Sequence, residues 1–315
     1  MVEPPGFTGT PGAAVPRPAT AASPRGGADV NGRQRRVGAP DLELSVGALD
    51  SAVLGRSLRY RLALPTHPGT EPRDGELPLV LLLHGSGGDE LAWDPGLVAL
   101  RDAIARADLP PVAAVAPGSG TSWWVDGREA VETAVLDELL PTIIERHGVG
   151  ASALFVAGFS MGGFGAVRFA LKHPGRIDGA IALSASVYDG LPPTASSARN
   201  SGAFGAPFDA RRWRAANYPA LLPSYRDGEH RVPIYLAAGD DDWNEPEGWR
   251  FNVEFQTVVL YERLRKVVGS PARLKIDAGG HDWDFWRPEF LHGLRYLLSS
   301  ASHADSPHGG AAQPD

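Results

Sequence analysis

Cysteine is missing from this chain of 315 residues. Its absence excludes disulfide bonds, thiolate metal sites and a cysteine nucleophile. Long apolar runs are missing as well, and none approaches the roughly 20 residues that span a membrane. The chain also lacks an excess of basic residues, with a formal net charge of −7 at pH 7. This balance argues against a general nucleic-acid binder, because contacts to phosphates require a basic surface.

The two ends of the chain differ in composition from its centre. Residues 1–40 are rich in Pro, Gly and Ala, which predicts a disordered tail. This segment contains no apolar stretch of the kind found in signal peptides, so we expect a cytoplasmic location. Residues 301–315 predict a second disordered tail, which leaves residues 41–300 as the folded domain.

Strand-like and helix-like segments alternate through the central region. The run "LPLVLLLHG" is continuously apolar, as is typical of a strand buried on both faces. Residues 130–147 and 249–268 show helical spacing. The alternation predicts an α/β fold with a mostly parallel central sheet and helices on both faces. Residues 187–231 break the rhythm and predict an insertion after the sixth strand, lying over the site; long insertions of this kind are often functional.

The stretch "GFSMG", from Gly158 to Gly162, has the form G-x-S-x-G. It follows a strand pattern and opens a helix pattern, which is the context in which this motif presents a nucleophilic serine. The glycines let the strand and the helix approach closely. The motif therefore predicts that Ser160 is a nucleophile. The N–H of Met161 is expected to point into the same space, at a helix N-terminus that favours negative charge.

A serine hydroxyl needs a base, and the base needs an acid that orients it. Of the nine histidines, His281 follows the last predicted strand, which is the position of the base in this architecture. The acid is expected between the serine and the histidine in the chain, where "VPIYLAAGD" runs into three adjacent aspartates. We predict that Asp242, three residues after the last glycine of that strand, is the acid. Asp240, Asp241 and Glu245 remain alternatives.

A second donor for an oxyanion is expected in "HGSGG", residues 84–88. This glycine-rich loop follows a central strand, where backbone N–H groups can face a reacting carbonyl. We assign the Ser86 N–H, with Gly87 as the alternate. A phosphate-binding loop is disfavoured, because the Lys and Ser/Thr of such a loop are missing.

Together these segments resemble the Putative esterase (esterase D) family of α/β-hydrolases, which includes feruloyl esterases and S-formylglutathione hydrolases. The resemblance spans about residues 50 to 298 and rests chiefly on "LLLHGSGG", "SWWVDG", "AGFSMGGFGAVRFALKHP", "AAGDDDWN" and "GGHDWDFWRPEF". It implies an α/β-hydrolase fold for residues 41–300, with Ser160, Asp242 and His281 in the triad positions. Residues 187–231 match no single branch of the family.

Four of the eight tryptophans fall in loops after predicted strands, beside the predicted catalytic residues. They are Trp123, Trp124, Trp243 and Trp283. Aromatic walls suit a planar or sugar-bearing ester, so we predict substrate contacts for them. The alternative is that they pack the core, since tryptophan is usually largely buried.

The sequence favours a serine carboxylic-ester hydrolase that works through an acyl-enzyme on a small-molecule ester. Acyl transfer to a second alcohol is the alternative among enzymes, and an inactive binding protein on the same fold is the alternative outside them. We expect no cofactor and no metal, because no H-E-x-x-H motif or clustered ligand spacing appears. Nucleic-acid and membrane partners are not expected.

Overall fold

The computed structural model of the protein describes residues 41–66, 77–242 and 246–304. The strands are Asp41–Ser51 (β1), Arg56–Thr66 (β2), Leu77–Leu83 (β3), Ala113–Pro117 (β4), Val149–Phe159 (β5), Gly179–Leu183 (β6), Ile234–Gly239 (β7) and Ala272–Asp277 (β8). They form one sheet in the order β1-β2-β4-β3-β5-β6-β7-β8. β2 runs antiparallel to β1 and β4, and the other neighbouring pairs are parallel.

Helices cover both faces of the sheet. They are Asp94–Ala105 (α1), Val131–Thr133 (α2), Leu140–His147 (α3), Met161–Lys172 (α4), Ala210–Ala216 (α5), Tyr218–Asp227 (α6), Val253–Leu264 (α7) and Trp283–Ala304 (α8). Side chains of α1 and α8 pack in one core, and those of α3, α4 and α7 pack in the other. This arrangement confirms the predicted α/β-hydrolase fold. None of the helices in the described ranges is long and apolar enough to cross a membrane.

β3 shows why a continuous apolar run marks a central strand. Leu79, Leu81 and Leu83 point into the core of α3, α4 and α7. Val80 and Leu82 point into the core of α1 and α8, because successive side chains of a strand face opposite sides of the sheet. Both faces of β3 are therefore apolar, and its carboxyl end is placed in the middle of the sheet.

The sequence analysis did not identify strand β1. All 11 of its residues pair with β2, although only Leu42 and Ser51 are buried. An edge strand with so few buried side chains has weak hydrophobic alternation, so its pattern is hard to detect.

The predicted helices have different boundaries in the structure. The helix expected over 130–147 contains α2, a π-helical stretch (Ala134–Leu139) and α3. The helix expected over 249–268 consists of a 3₁₀ turn (Trp249–Phe251) and α7, separated by the extended residue Asn252 (φ −59°, ψ 138°). α8 continues four residues into the segment predicted as a tail, residues 301–315. The rest of that segment and residues 1–40 lie outside the described residues.

The segment predicted as an insertion follows β6. It contains a 3₁₀ turn (Ser197–Arg199), α5 and α6. Trp213 of α5 and Tyr218 and Tyr225 of α6 are buried in the core that contains α4. The insertion is therefore packed on the domain through its own aromatic side chains.

Candidate active site

The turn between β5 and α4 holds Ser160 in an unusual backbone conformation. Its φ is 56° and its ψ is −121°, a combination that is strained for a residue with a side chain. The two glycines of the motif make the turn possible. A Cβ on Gly158 would lie 2.0 Å from the Gly162 carbonyl oxygen, and a Cβ on Gly162 would lie 1.9 Å from the Leu83 carbonyl oxygen. Strand and helix are thus in backbone contact, and Ser160 stands at the carboxyl edge of the sheet.

His281 and Asp242 come from the loops after β8 and β7, and they meet beside this turn. The distance from His281 Nδ1 to Asp242 Oδ1 is 2.6 Å. The Asp242 side chain is fully buried, and that of His281 is 18% exposed. An ionised carboxylate only accepts hydrogen bonds, so the imidazole carries its proton on Nδ1 and leaves Nε2 to accept one.

Trp286 of α8 packs against the imidazole of His281. The ring of Trp286 meets that of His281 edge-on, with centroids 5.0 Å apart, and stacks on Phe159 at 4.5 Å. Trp286 Nε1 donates a hydrogen bond of 2.8 Å to Ser184 Oγ. Ser184 is fully buried at the end of β6 and has a positive φ of 45°.

The loop at residues 84–88 lies against the nucleophile. A Cβ on Gly85 would be 3.4 Å from Ser160 Cβ. The Gly87 N–H, the alternate oxyanion donor, donates instead to the Gly120 carbonyl oxygen at 3.1 Å. The Ser86 N–H has no such backbone acceptor within the described ranges.

His84 holds this loop from below. Its Nε2 accepts a hydrogen bond of 2.9 Å from the Ser119 N–H, so its Nδ1 carries the proton and donates to the Gly85 carbonyl oxygen at 2.7 Å. Burial lowers the pKa of His84, which keeps the imidazole neutral. This histidine is a structural support of the loop.

A cavity of about 410 Å³ opens above Ser160. Of the residues predicted from sequence, Ser160, His281, Met161, Ser86 and Trp123 line it. Its remaining walls are Gly85, Phe159, Ser186, Tyr188, Ala195, Ser196, Ser197, Val253 and Trp286. Asp242 lies behind His281, as an orienting acid should.

The positions of two tryptophans do not support the predicted substrate contacts. Trp124 is fully buried and donates its indole N–H to the His84 carbonyl oxygen at 3.1 Å. Trp283 packs against Trp93 and Phe159, away from the cavity lining. Both tryptophans therefore fit the alternative, in which they pack the core. Trp243 lies outside the described residues, as does Glu245.

Sequence reasoning missed most of the cavity wall. The sequence offered a way to predict Phe159 and Ser186 as lining residues, because each lies at or just beyond the carboxyl end of a strand near Ser160. Trp286 lies three residues after Trp283 in the histidine segment, and it is Trp286 that lines the cavity. Ser196 and Ser197 belong to the insertion, whose course no local pattern specifies. Among the described residues, no group of three or more His, Asp or Glu side chains is placed to hold a metal ion.

The chain is similar to known esterases. The model of the family described as "Putative esterase" matches residues 51–297. An acetyl esterase of Caldicellulosiruptor saccharolyticus is 26% identical over 239 residues, covering 70% of this chain and 83% of the relative. Esterase Rv1288 of Mycobacterium tuberculosis is 30% identical over 264 residues, or 71% of this chain, but the match spans only about half of that relative (53%).

Solved structures agree on the fold. A ferulic acid esterase superposes with a TM-score of 0.65 at 21% identity, covering 83% of this chain and 99% of that one. At 21% sequence identity, this structural similarity is evidence for the fold alone. Since the family match extends over most of the chain, the protein belongs to the Putative esterase family and is an esterase with an α/β-hydrolase fold.

Proposed function

We propose that the protein hydrolyses small carboxylic esters through an acyl-enzyme formed on Ser160. The observation that carries the proposal is the buried Asp242 carboxylate, 2.6 Å from His281 Nδ1, at a cavity that Ser160 and His281 both line. A buried carboxylate in this position fixes the tautomer in which Nε2 can take a proton, and it stabilises the imidazolium that forms.

The reaction then proceeds in two halves. Ser160 Oγ attacks the ester carbonyl carbon while its proton passes to His281 Nε2. The carbonyl oxygen becomes an oxyanion, which accepts hydrogen bonds from the Met161 and Ser86 N–H groups. As the C–O bond to the alcohol breaks, His281 returns the proton to the departing oxygen. Water repeats the sequence on the acyl-enzyme, giving the carboxylic acid and free Ser160.

The electrostatics of the site favour the oxyanion. The Met161 N–H is at the first position of α4, where no intrahelical acceptor exists for it. The partial positive charge of the helix N-terminus points the same way. These donors are backbone groups held by the turn itself, so they need little reorganisation when the charge develops.

The cavity also indicates the kind of ester. Trp123, Phe159, Tyr188 and Trp286 provide apolar walls, and several serines also line the cavity. A volume of about 410 Å³ accommodates a compact group of small-molecule size. We propose that an apolar or aromatic part of the ester lies against these rings.

The test is Ser160→Ala assayed with p-nitrophenyl acetate. We expect a loss of kcat on the order of 10⁶ with an unchanged melting temperature, since a triad nucleophile contributes about that much. The wild-type protein should show a burst of p-nitrophenol and an acetyl group on the peptide containing Ser160. Near wild-type turnover by the variant would overturn the assignment.

Transfer to an alcohol is separated from hydrolysis in the same assay. Adding primary alcohols to the wild-type enzyme reports how the acyl-enzyme partitions between water and alcohol. We expect the free acid as the main product at low alcohol concentration. A product that is mostly the new ester would instead identify an acyltransferase.

A further inference from the structure

The segment that presents the Ser86 N–H is exposed and rich in glycine, yet it is restrained on both sides. Gly85 and Gly87 are restrained by the body of the domain, through His84 and Gly120. Ser86 itself is held by side chains. Its Oγ donates to Ser197 Oγ at 3.0 Å and lies 3.5 Å from Thr121 Oγ.

Ser197 is the point where the insertion meets this loop. Besides Ser86, its Oγ accepts a hydrogen bond of 3.2 Å from Trp123 Nε1. An indole N–H only donates, so this contact fixes the position of the Ser197 oxygen. One hydroxyl of the insertion thus joins the predicted oxyanion loop to an aromatic wall of the cavity.

The turn that carries Ser197 is itself well fixed. Ser196 Oγ caps it by accepting from the Ala198 N–H at 3.3 Å. Arg199 donates to the Pro192 carbonyl oxygen at 3.0 Å through Nε, and Ala198 is buried. A hydroxyl on such a turn can fix the position of its hydrogen-bond partner, because the turn is itself held by these contacts.

We propose that Ser197 is a positioning residue for the oxyanion hole, and that the insertion contributes to catalysis through it. The proposal rests on the proposed function, since it assumes that the Ser86 N–H stabilises the oxyanion. Without the Ser197 hydroxyl, Ser86 is left with the long contact to Thr121, and its N–H loses its fixed direction. An oxyanion donor acts by being preorganised, so the loss falls on the transition state and spares substrate binding.

The decisive experiment compares Ser197→Ala, Ser86→Ala and the double variant on an activated ester. We expect kcat to fall about tenfold in each single variant, less than the 10²–10³ lost when an oxyanion donor is removed, with KM changed by less than about twofold. The double variant should fall no further than the single ones, because both changes remove the same hydrogen bond.

A trifluoromethyl ketone inhibitor provides a readout that a merely structural role would not move. Ser160 Oγ adds to its carbonyl carbon and the proton goes to His281, which leaves an oxyanion in the hole. The inhibition constant should rise in Ser197→Ala by the same factor as kcat falls. Ser201→Ala is the matched control, because that hydroxyl lies in the same insertion and accepts a hydrogen bond of 3.3 Å from the Ala203 N–H, but it does not line the cavity above Ser160; its kcat should be unchanged.

The outcomes are distinguishable. Wild-type kcat and inhibitor affinity in Ser197→Ala, with Ser160→Ala inactive, would overturn this inference and leave the proposed function standing. A rise in KM at constant kcat would also overturn it, because Ser197 would then contact the substrate. If Ser197→Ala does not fold, Ser86→Ala is the deciding variant, because the Ser86 side chain is exposed. A wild-type kcat in Ser86→Ala would then overturn the inference. Full activity in Ser160→Ala would remove the proposed function itself.

Discussion

At the scale of single residues, the proposed nucleophile Ser160 depends on a glycine, Gly162, whose surroundings leave no room for a methyl group. The carbonyl oxygen that a Cβ on Gly162 would meet at 1.9 Å belongs to the backbone of β3. A flexible side chain could move aside, but a central strand of the sheet cannot do so without disturbing its neighbours. The geometry of Ser160 is therefore coupled to the contact between β3 and α4.

We expect Gly162→Ala to destabilise the protein by about 4 kcal/mol or more and to abolish activity. Thermal unfolding and labelling of Ser160 with a fluorophosphonate measure the two effects. Gly175→Ala is the control, because a Cβ there meets nothing within 4 Å. A Gly162→Ala protein with wild-type stability would show that the turn can relax.

The three adjacent aspartates differ in how deeply their side chains are buried. Asp242 is buried, whereas Asp240 and Asp241 are exposed. Asp240 Oδ1 accepts a hydrogen bond from the Gly279 N–H at 3.1 Å, and it therefore supports the loop that leads to His281. Asp242, by contrast, places its Oδ1 2.6 Å from His281 Nδ1.

Asp242→Asn is expected to lower kcat by about 10⁴, because the amide favours the wrong histidine tautomer. Asp240→Asn and Asp241→Asn should stay within roughly tenfold of wild type, since both side chains are exposed to solvent. The measurement is kcat for the three variants on one activated ester. If Asp241→Asn is the crippled variant, the assignment of the acid is wrong and the serine mechanism still stands.

At the scale of elements, a buried ion cluster joins α2 to α4. Glu132 is nearly fully buried, and its carboxylate lies 2.6 Å from Arg168 Nη1, 2.9 Å from Lys172 Nζ and 2.7 Å from His173 Nε2. Burial opposes ionisation of this carboxyl group. Contacts with His173, Arg168 and Lys172 outweigh it and lower the pKa of Glu132 to about 2.

This lowered pKa has a defined effect on stability. The stabilisation is fully present above the ordinary pKa of 4.5 and is lost as the pH falls toward about 2. Glu132→Gln should therefore cost about 3 kcal/mol at neutral pH, because it leaves the buried Arg168 guanidinium without its anionic partner. Urea unfolding between pH 7 and pH 2 should show the gap between variant and wild type closing over that window. A gap that stays constant with pH would contradict the ionic origin.

At the scale of the whole molecule, residues 1–38 differ from strand β1 in what they can contribute to stability. Residues 1–38 contain few large apolar side chains and cannot build much of a core. β1, by contrast, pairs with β2 along its whole length and places Leu42 in the core that contains α1 and α8.

Deleting residues 1–38 should leave kcat and the melting temperature nearly unchanged. Deleting residues 1–51 should lower the melting temperature by many degrees, because β2 then becomes the edge of the sheet and loses its backbone hydrogen bonds to β1. Differential scanning calorimetry of the two truncated proteins makes the comparison. A large loss of stability in the shorter deletion would show that the first 38 residues dock on the domain.

Local patterns determined much of this protein. The fold class followed from alternating strand and helix segments, because each segment has a characteristic hydrophobic period. Ser160 was predicted as the nucleophile from a short motif, although only the contact of Gly158 with Gly162 is local and the space at Gly162 is limited by Leu83 of β3. The loops that supply His281 and Asp242 followed from chain order, because parallel strands bring their carboxyl ends to one edge of the sheet.

Only the tertiary structure decided how the walls of the site are assembled. Ser86 and Ser197 are 111 residues apart in sequence, and Trp286 and Ser184 are 102 apart. Trp123 and Trp124 are neighbours, yet one lines the cavity and the other is buried beneath the oxyanion loop. Such contacts depend on side-chain packing across elements, which no local period encodes, because each is settled by the shape of the surfaces that meet.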